Sequence, residues 1–439
     1  MSAGSAERFA SWGRYPREAA AQVTSPWWRD DPLPAGPSLL ARGCGRSYGD
    51  SCLNAQGTLV HTAHLDRLIA FDRASGVLRC EAGTTLAQVL EVAVPAGWFL
   101  PVTPGTRFVT VGGAVANDVH GKNHHVAGTF GAHVRRFELA RSDGSRRECA
   151  PDHEAALYAA TIGGLGLTGL VTWVELALRP IRSAYLDCET IRFATLAEFF
   201  ELSRASDGHC EHTVAWVDAT ARGARRGRGL FMRANHVTEA DGSLGQPIPG
   251  ARMAVPFELP WSPLGTRTVA AYNAWHHARA PRGASREHFV PFFYPLDGVA
   301  HWNRVYGPRG FLQHQSVVPI DGAPDAVGAL LEAAAEGGEA PFLSVLKVFG
   351  DRPSPGMLSF PRRGATLALD FPMRGETTLR LLERLDAIVV ARGGAIYPAK
   401  DARMSAATFA ASFPRLAEFE RHVDPAFSSS FWRRVRARG

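Results

Sequence analysis

The spacing of apolar positions predicts short strands interleaved with amphipathic helices. Between positions 38 and 90, SLLARG and TLVHTAHL are β-prone runs, with a glycine-rich turn after the first. GVLRCEAG then leads into the helix TLAQVLEVAVPAG, which Thr84 or Thr85 can cap and Gly97 ends. Residues 109–180 supply a second unit: VTVGGAVAND, VRRFELARSDGS, the acidic helix DHEAALYAATIGG and the β-prone run LTGLVTWVELALRP.

From 183 to 394 glycine motifs are sparser. LAEFFELSRA reads as a helix, HTVAWVDAT as a strand, and about 236–268 as a Pro/Gly-rich irregular stretch. GFLQHQSVVPI (strand), APDAVGALLEAAAEGG (helix), FLSVLKVFG and ATLALDFPM (strands) and TTLRLLERLDAIVVARGG (helix) follow. That order predicts an antiparallel sheet covered by helices on one face. The expected organisation is α+β and discontinuous: a first domain over 1–182, an inserted domain over 183–394, and a return to the first over 395–439.

Two segments carry the chemistry. Arg42-Gly-Cys-Gly-Arg-Ser-Tyr-Gly-Asp50 and PVTPGTRFVTVGGAVANDVHGKNHH (101–125) place small residues where a bulky anion must approach backbone. Gly43, Gly45 and Gly49 permit positive φ and remove Cβ atoms. Successive N–H groups in such a turn form an anion nest, and a pyrophosphate gripped from two loops is the natural ligand. GGLGLTG (163–169) resembles a Rossmann fingerprint, but it precedes a β-prone run instead of opening a helix.

These segments resemble the FAD-binding domain of the vanillyl-alcohol-oxidase, or PCMH-type, flavoproteins. GCGRSYGDSCLN, PGT, TVGGAVANDVHGKNHH, GTFG, SDG, TIGGLGLTG, LKVFG and YPAKDAR run in the order found in the decaprenylphosphoryl-β-D-ribose 2′-oxidase branch. The resemblance implies a two-subdomain PCMH-type domain with an inserted substrate domain of antiparallel sheet and helices. It implies FAD contacts from Ala41, Arg42, Gly43, Cys44, Gly45, Arg46, Ser47, Tyr48, Gly49, Asp50 and Ser51 in the first loop. Gly105, Thr110, Val111, Gly112, Gly113, Asn117, Asp118, Val119 and His120 form the second wall, with Leu170 or Val171 at the adenine or ribose end and Tyr397 near the isoalloxazine. Many relatives carry at the place of Arg46 a histidine bonded covalently to the flavin. Arginine cannot form that bond, so FAD is expected to be non-covalent.

Of 48 basic residues only three are lysine: Lys122, Lys347 and Lys400. In a chain that otherwise writes Arg, a retained lysine marks a place needing a compact ammonium or one that changes protonation. All three fall inside the family motifs. The resemblance places Lys122 and Lys347 against phosphate or sugar oxygens and Lys400 beside the flavin. Gln313 and Gln315 alternate on one strand and share a face, where they can bond sugar hydroxyls. His120, His124, His125 and His133 are the densest histidine cluster, but their spacing is no familiar zinc motif and no metal is expected. His120 is read as the residue beside the flavin, His124 and His125 as structural. His120 and Lys400 are both candidates for the base, and Tyr48 either contacts the flavin or closes the site. Ala368, in TLALDF, stands where family members attacked by nitroaromatic inhibitors carry cysteine.

Composition narrows the class. The chain has 439 residues, 46% hydrophobic and 21% charged, an ordinary globular balance. No apolar run approaches the roughly 18 residues of a spanning helix, and MSAGSAERFASWGRYPREAA has no hydrophobic signal core, so a cytoplasmic location is expected. Six cysteines without a CxxC pair read as buried free thiols. The net charge of +6 is dispersed, clustering only at 222–228 and 433–438. No nucleic-acid motif accompanies it, so the chain is read as having no nucleic-acid partner; contact with a phosphorylated lipid or membrane surface stays open.

The reading is an FAD-dependent oxidation of a secondary sugar hydroxyl to a ketone. By the resemblance this is C2′ of a polyprenyl-phosphoryl-β-D-ribose, and a partner short-chain reductase completes epimerisation to the arabinose donor. Two alternatives stand: an alditol or aldonolactone oxidase using a soluble sugar and oxygen, and a non-catalytic flavin- or lipid-phosphate-binding protein.

Overall fold

A computed structural model describes residues 8–437. Of the basic cluster at the C-terminus, Arg438 lies outside the described residues, as do the first seven positions of the N-terminal stretch.

The first part of the chain builds two small sheets. Leu39–Arg42, Thr58–His61 and Gln22–Thr24 form a three-stranded parallel sheet whose Leu39–Arg42 strand delivers the first glycine loop. Leu68–Asp72, Val77–Glu81, Leu170–Ala177, Val134–Ala140 and Arg146–Cys149 form an antiparallel sheet in that order. The helix Leu86–Ala93 packs on it: Leu86, Val89 and Leu90 share a core with Leu78, Phe137 and Val174. Of the two threonines offered as its cap, Thr85 does the work in a capping box with Gln88, and Gly97 closes the end at φ 82°.

The larger sheet has eight strands, all antiparallel. Their order is Gly283–His288, Tyr185–Phe193, Gly229–His236, His212–Val217, Ser344–Phe349, Gly364–Pro372, Phe311–Val318 and Ala395–Ile396. The expected helices, observed as Leu196–Ser206, Ala323–Glu336 and Glu376–Ala391, lie against one face. Their apolar stripes close a core on Leu312, Leu346, Leu367 and Leu369. The opposite face carries Gln313 and Gln315, Val345 and Lys347, and Thr366, Ala368 and Asp370. This clean period of two is what aims the polar residues away from the helices.

In the large sheet Tyr185–Phe193, Gly229–His236, Gly283–His288 and the short Ala395–Ile396 were not read from sequence; nor was the helix Thr266–Arg279. Tyr185–Phe193 mixes charged and apolar residues because it lies beside the edge strand, and half of it is only partly covered. The thiol expectation also needs correction. No cysteine is disulfide-bonded, but Cys44 is exposed and Cys52 and Cys210 are partly so; Cys44 faces a cavity, not the core.

The chain end returns to the first sheet. Leu39 N–H donates to Ala426 O (2.6 Å) and accepts through its carbonyl from Ser428 N–H (2.8 Å). From the helix Ser430–Arg436, Arg434 grips both oxygens of Asp50 at 2.8 Å and Asp401 at 2.9 Å. One guanidinium thus ties the first glycine loop to the segment that carries Lys400.

Candidate active site

A cavity of about 320 Å³ runs between the two glycine-rich segments and the polar face of the large sheet. Most sequence-predicted residues line it. From the first loop come Ala41 to Tyr48 and Ser51; from the second segment Gly105, Thr110, Gly112, Gly113, Asn117, Val119 and His120; Leu170, Val171 and Tyr397 follow. Gln313, Gln315, Lys347, Ala368 and Lys400 close the sheet side.

Four proposed cofactor residues do not line it. Asp50 is taken by Arg434, and Val111 is fully buried in the core that Leu86, Val89 and Leu90 share with Leu78, Phe137 and Val174. Asp118 is buried facing away, accepting from Ser359 at 2.5 Å, from Gly131 N–H at 2.8 Å and from Ser354. Gly49 backs onto the Asp401 carbonyl, which an added Cβ would strike at 1.7 Å. Nor are all three loop glycines in the left-handed region: only Gly45 is, at φ 60°. Gly43 is small because the Thr110 side chain sits against it, and Gly49 because the Lys400 segment does. The loop glycines therefore join chain segments closely as well as shaping a nest.

Lys122 is a further correction. Its ammonium is buried outside the cavity, donating to the Phe292 carbonyl and lying 4.5 Å from the centre of the Phe292 ring. Burial pulls its pKa down to about 8. The strand at His212–Val217 begins beside it, with Thr213 N–H on the Lys122 carbonyl (2.8 Å), so its backbone is committed as well. His125 and His133 bond the carbonyls of Cys210 and Ala127, both at 2.9 Å, and His124 packs on Phe349.

His120 is fixed at both ends. Lys347 Nζ lies 3.2 Å from Nδ1, and the Gln315 side-chain amide lies 3.0 Å from Nε2. Burial, then Lys347, holds the imidazole well below its usual pKa, so it is neutral at pH 7. A neutral imidazole has one N–H and one lone pair. Whichever nitrogen carries the proton, both are spent on Lys347 and Gln315. Lys347 itself is pushed down to about 7 by burial and by the charges of Lys122 and Lys400.

Lys400 differs. It lines the cavity, and its Nζ sits 3.5 Å from the centre of the Tyr48 ring. Among the described residues no hydrogen-bond acceptor engages it. Burial pulls its pKa far below that of an ordinary lysine, opposed by the charge of Asp370. Tyr48 is packed edge-on against Phe311 at 5.2 Å, which fixes the ring beneath the amine. Tyr397 stacks on Phe360 at 4.6 Å and donates to the Asn117 carbonyl at 2.9 Å.

The cavity meets the needs of a dinucleotide. Arg42 is buried with Nε and Nη1 unpartnered, and Ser51 Oγ is buried and unpartnered; both line the cavity. Donors held ready in this way suit phosphate oxygens. Gly105 has open space where a Cβ would stand. Arg46 stacks on Trp12 at 4.1 Å, ring centre to guanidinium carbon.

Sequence reasoning missed Trp12, Trp302, Thr366 and Asp370. Thr366 and Asp370 share parity with Ala368 in GATLALDFP, so the strand alternation already held that signal. Trp12 is held at the site by long-range pairings with no local mark: its N–H donates to the Ser47 carbonyl (2.9 Å), Gly13 N–H to the Tyr48 carbonyl (3.1 Å), and Phe311 N–H to the Gly13 carbonyl (2.8 Å).

Fold and cavity define an FAD-dependent oxidoreductase. An FAD binding domain family matches residues 35–150. The chain is 34% identical over 422 residues to the decaprenylphosphoryl-β-D-ribose oxidase of Mycolicibacterium smegmatis, covering 91% of this chain and 89% of the relative. It is 35% identical to a Streptomyces coelicolor protein described as uncharacterized, in the mprA 5′ region, over 80% of this chain and 99% of that one. A putative D-arabinono-1,4-lactone oxidase of Neurospora crassa is 26% identical over 32% of this chain and 25% of its own length. The chain belongs to the decaprenylphosphoryl-β-D-ribose oxidase family of PCMH-type flavoproteins.

Proposed function

We propose that this protein oxidises the C2′ hydroxyl of a polyprenyl-phosphoryl-β-D-ribose to a ketone. The observation that carries the chemistry is the Lys400 amine, unbonded and held over Tyr48 in the cavity, beside a His120 whose two nitrogens are already engaged. FAD, when bound, supplies acceptance of the hydride. Arg42, Ser51 and the backbone of Gly43 to Ser47 hold its phosphates. The sugar lies on the sheet face, where Gln313, Gln315 and Lys347 meet its oxygens.

Lys400 takes the hydroxyl proton. Burial keeps a fraction of it as free amine near neutral pH, and general-base catalysis is best served by such a pKa. His120 holds the sugar-facing wall and presents its ring; with no spare lone pair it is not the base. Once protonated, the Lys400 ammonium also stabilises negative charge developing beside it.

The domain division 1–182, 183–394 and 395–439, the non-covalent attachment of FAD, a partner reductase and a cytoplasmic location belong to the same proposal. Contact with a lipid surface is supported by Met253, Phe257 and Trp261, which are 66%, 64% and 71% exposed on one strap. That strap lies along the 298–307 segment carrying Trp302 into the cavity, through Arg252 N–H to Gly298 and Val255 N–H to Ala300.

Anaerobic titration tests the substrate. A polyprenyl-phosphoryl ribose should bleach the flavin, whereas xylitol and galactonolactone should not. Bleaching by either soluble sugar alone would assign the protein to the alditol or lactone oxidases.

A further inference from the structure

The first glycine loop carries two arginines whose side chains go separate ways. Arg42 donates to the Ala10 carbonyl at 2.9 Å and keeps Nε and Nη1 for the cofactor's phosphates. Arg46 lies over the Trp12 ring at 4.1 Å, with the Phe108 ring at 5.7 Å. It lines the cavity, and among the described residues no carboxylate or carbonyl bonds its guanidinium. Four cationic side chains line that cavity: Arg42, Arg46, Lys347 and Lys400. Lys347 is held by His120 Nδ1 at 3.2 Å and the Gly121 carbonyl at 3.3 Å, and Lys400 serves as the base. Arg46 is the one left uncommitted, and it stays charged at every working pH.

Aromatic contacts place Arg46 on the sugar side of the cavity. Trp12 meets Trp302 edge-on at 5.6 Å, and Trp302 tilts against Phe311 at 5.5 Å. Phe311 opens the strand that carries Gln313 and Gln315. The same turn leads outward: Arg304 donates to the carbonyls of Val255 and Pro256, both at 2.9 Å, and Arg14 pairs with Glu258. Trp12 and Trp302 therefore join the cavity to the exposed strap of Met253, Phe257 and Trp261.

We infer that the Arg46 side chain is the subsite for the phosphodiester of the lipid-linked sugar, and that Trp12 and Trp302 take the first isoprene units of its chain. The inference rests on the substrate class of the proposed function. In that substrate the phosphate sits on C1′, next to the carbon that is oxidised, so its oxygens enter the cavity with the sugar. A guanidinium fork matches two phosphate oxygens, and its stack on Trp12 fixes it in advance of binding. Beyond the phosphate the ligand is hydrocarbon, which aromatic walls suit and water does not. A soluble alditol or lactone has nothing for either feature.

Calorimetry on the holoenzyme tests this without turnover. Farnesyl phosphate should bind the wild type, farnesol and inorganic phosphate far more weakly. Arg46→Met should keep its flavin and weaken farnesyl phosphate by about 10- to 100-fold, the range for a hydrogen-bonded charge, with farnesol unchanged. Farnesyl phosphate bound equally by wild type and Arg46→Met overturns the inference. So does farnesol bound as tightly as farnesyl phosphate. Inorganic phosphate matching farnesyl phosphate would make this a site for a free anion and overturn the lipid phosphodiester as its ligand. Should Arg46→Met shed its flavin, Arg46→Lys keeps a charge in the loop but neither the fork nor the planar stack. It should still weaken farnesyl phosphate against farnesol, and an unchanged ratio is equally contrary. If farnesyl phosphate binds through Arg46 while no polyprenyl-phosphoryl ribose bleaches the flavin, the subsite stands and the choice of sugar fails.

Discussion

The Lys400 ammonium lies 3.5 Å above the centre of the Tyr48 ring, close enough for the ring face to carry its charge. A π-face supports a cation without accepting a full hydrogen bond, so the amine keeps its donors and, when neutral, its lone pair for substrate. A desolvated contact of this kind is worth about 2 kcal/mol, roughly a 30-fold effect on a rate that depends on the ammonium. Tyr48→Phe should therefore keep most of the rate of flavin reduction, and Tyr48→Leu should lose about that factor. Stopped-flow absorbance under anaerobic conditions reads both. Equal rates in the two variants would show that the ring face does not matter.

Arg46 stacks on Trp12 and stands where many relatives place the flavin-linking histidine. The flavin should leave with acid or denaturant. Gel filtration of denatured protein is expected to separate all yellow colour from the chain; absorbance that travels with the polypeptide would reveal a covalent bond made elsewhere.

Gly45→Val should lower flavin occupancy. The residue is at φ 60°, and an added Cβ would fall 2.1 Å from the Arg42 guanidinium. Valine strains the turn and displaces Arg42, whose Nε and Nη1 wait for an acceptor. The ratio of flavin to protein absorbance in purified material checks this, and full occupancy would remove the first loop from the cofactor site.

The two halves of the site were unequally legible in the sequence. Gly43, Gly45 and Gly112 could be found because close backbone approach admits few residue types, and the alternation Gln313, Gln315 gave the face correctly. The reasons were less legible than the positions. Gly49 is small for the Asp401 carbonyl, and Lys122, though rare in composition, is spent on the Phe292 carbonyl. Both depend on contacts between distant segments. The strand Tyr185–Phe193 was missed for a related reason: beside a sheet edge, with charged Asp187, Glu189 and Arg192, it lacks the apolar run of a covered strand.

Ala368 lines the cavity between Gln315 and Val345, its neighbours across the sheet. Ala368→Cys should place a thiol there without abolishing turnover, and should confer sensitivity to nitroaromatic inactivators. Mass spectrometry after turnover with such a compound should show an adduct on that cysteine in the variant and none in the wild type. An unmodified variant would show that this strand position is not within reach of the reacting compound.

The base assignment carries the account, and single-turnover flavin reduction in Lys400 variants tests it. Lys400→Arg keeps a cation that can still stack on the Tyr48 ring, but it has no free amine at usable pH. Both Lys400→Arg and Lys400→Ala should fold, hold FAD and reduce it slower by a factor on the order of 10²–10³. The wild-type rate should fall as pH drops and Lys400 takes up a proton, a limb absent from both variants. Lys400→Arg reducing its flavin at near wild-type rate, with the acid limb intact, would show that the proton goes to another residue.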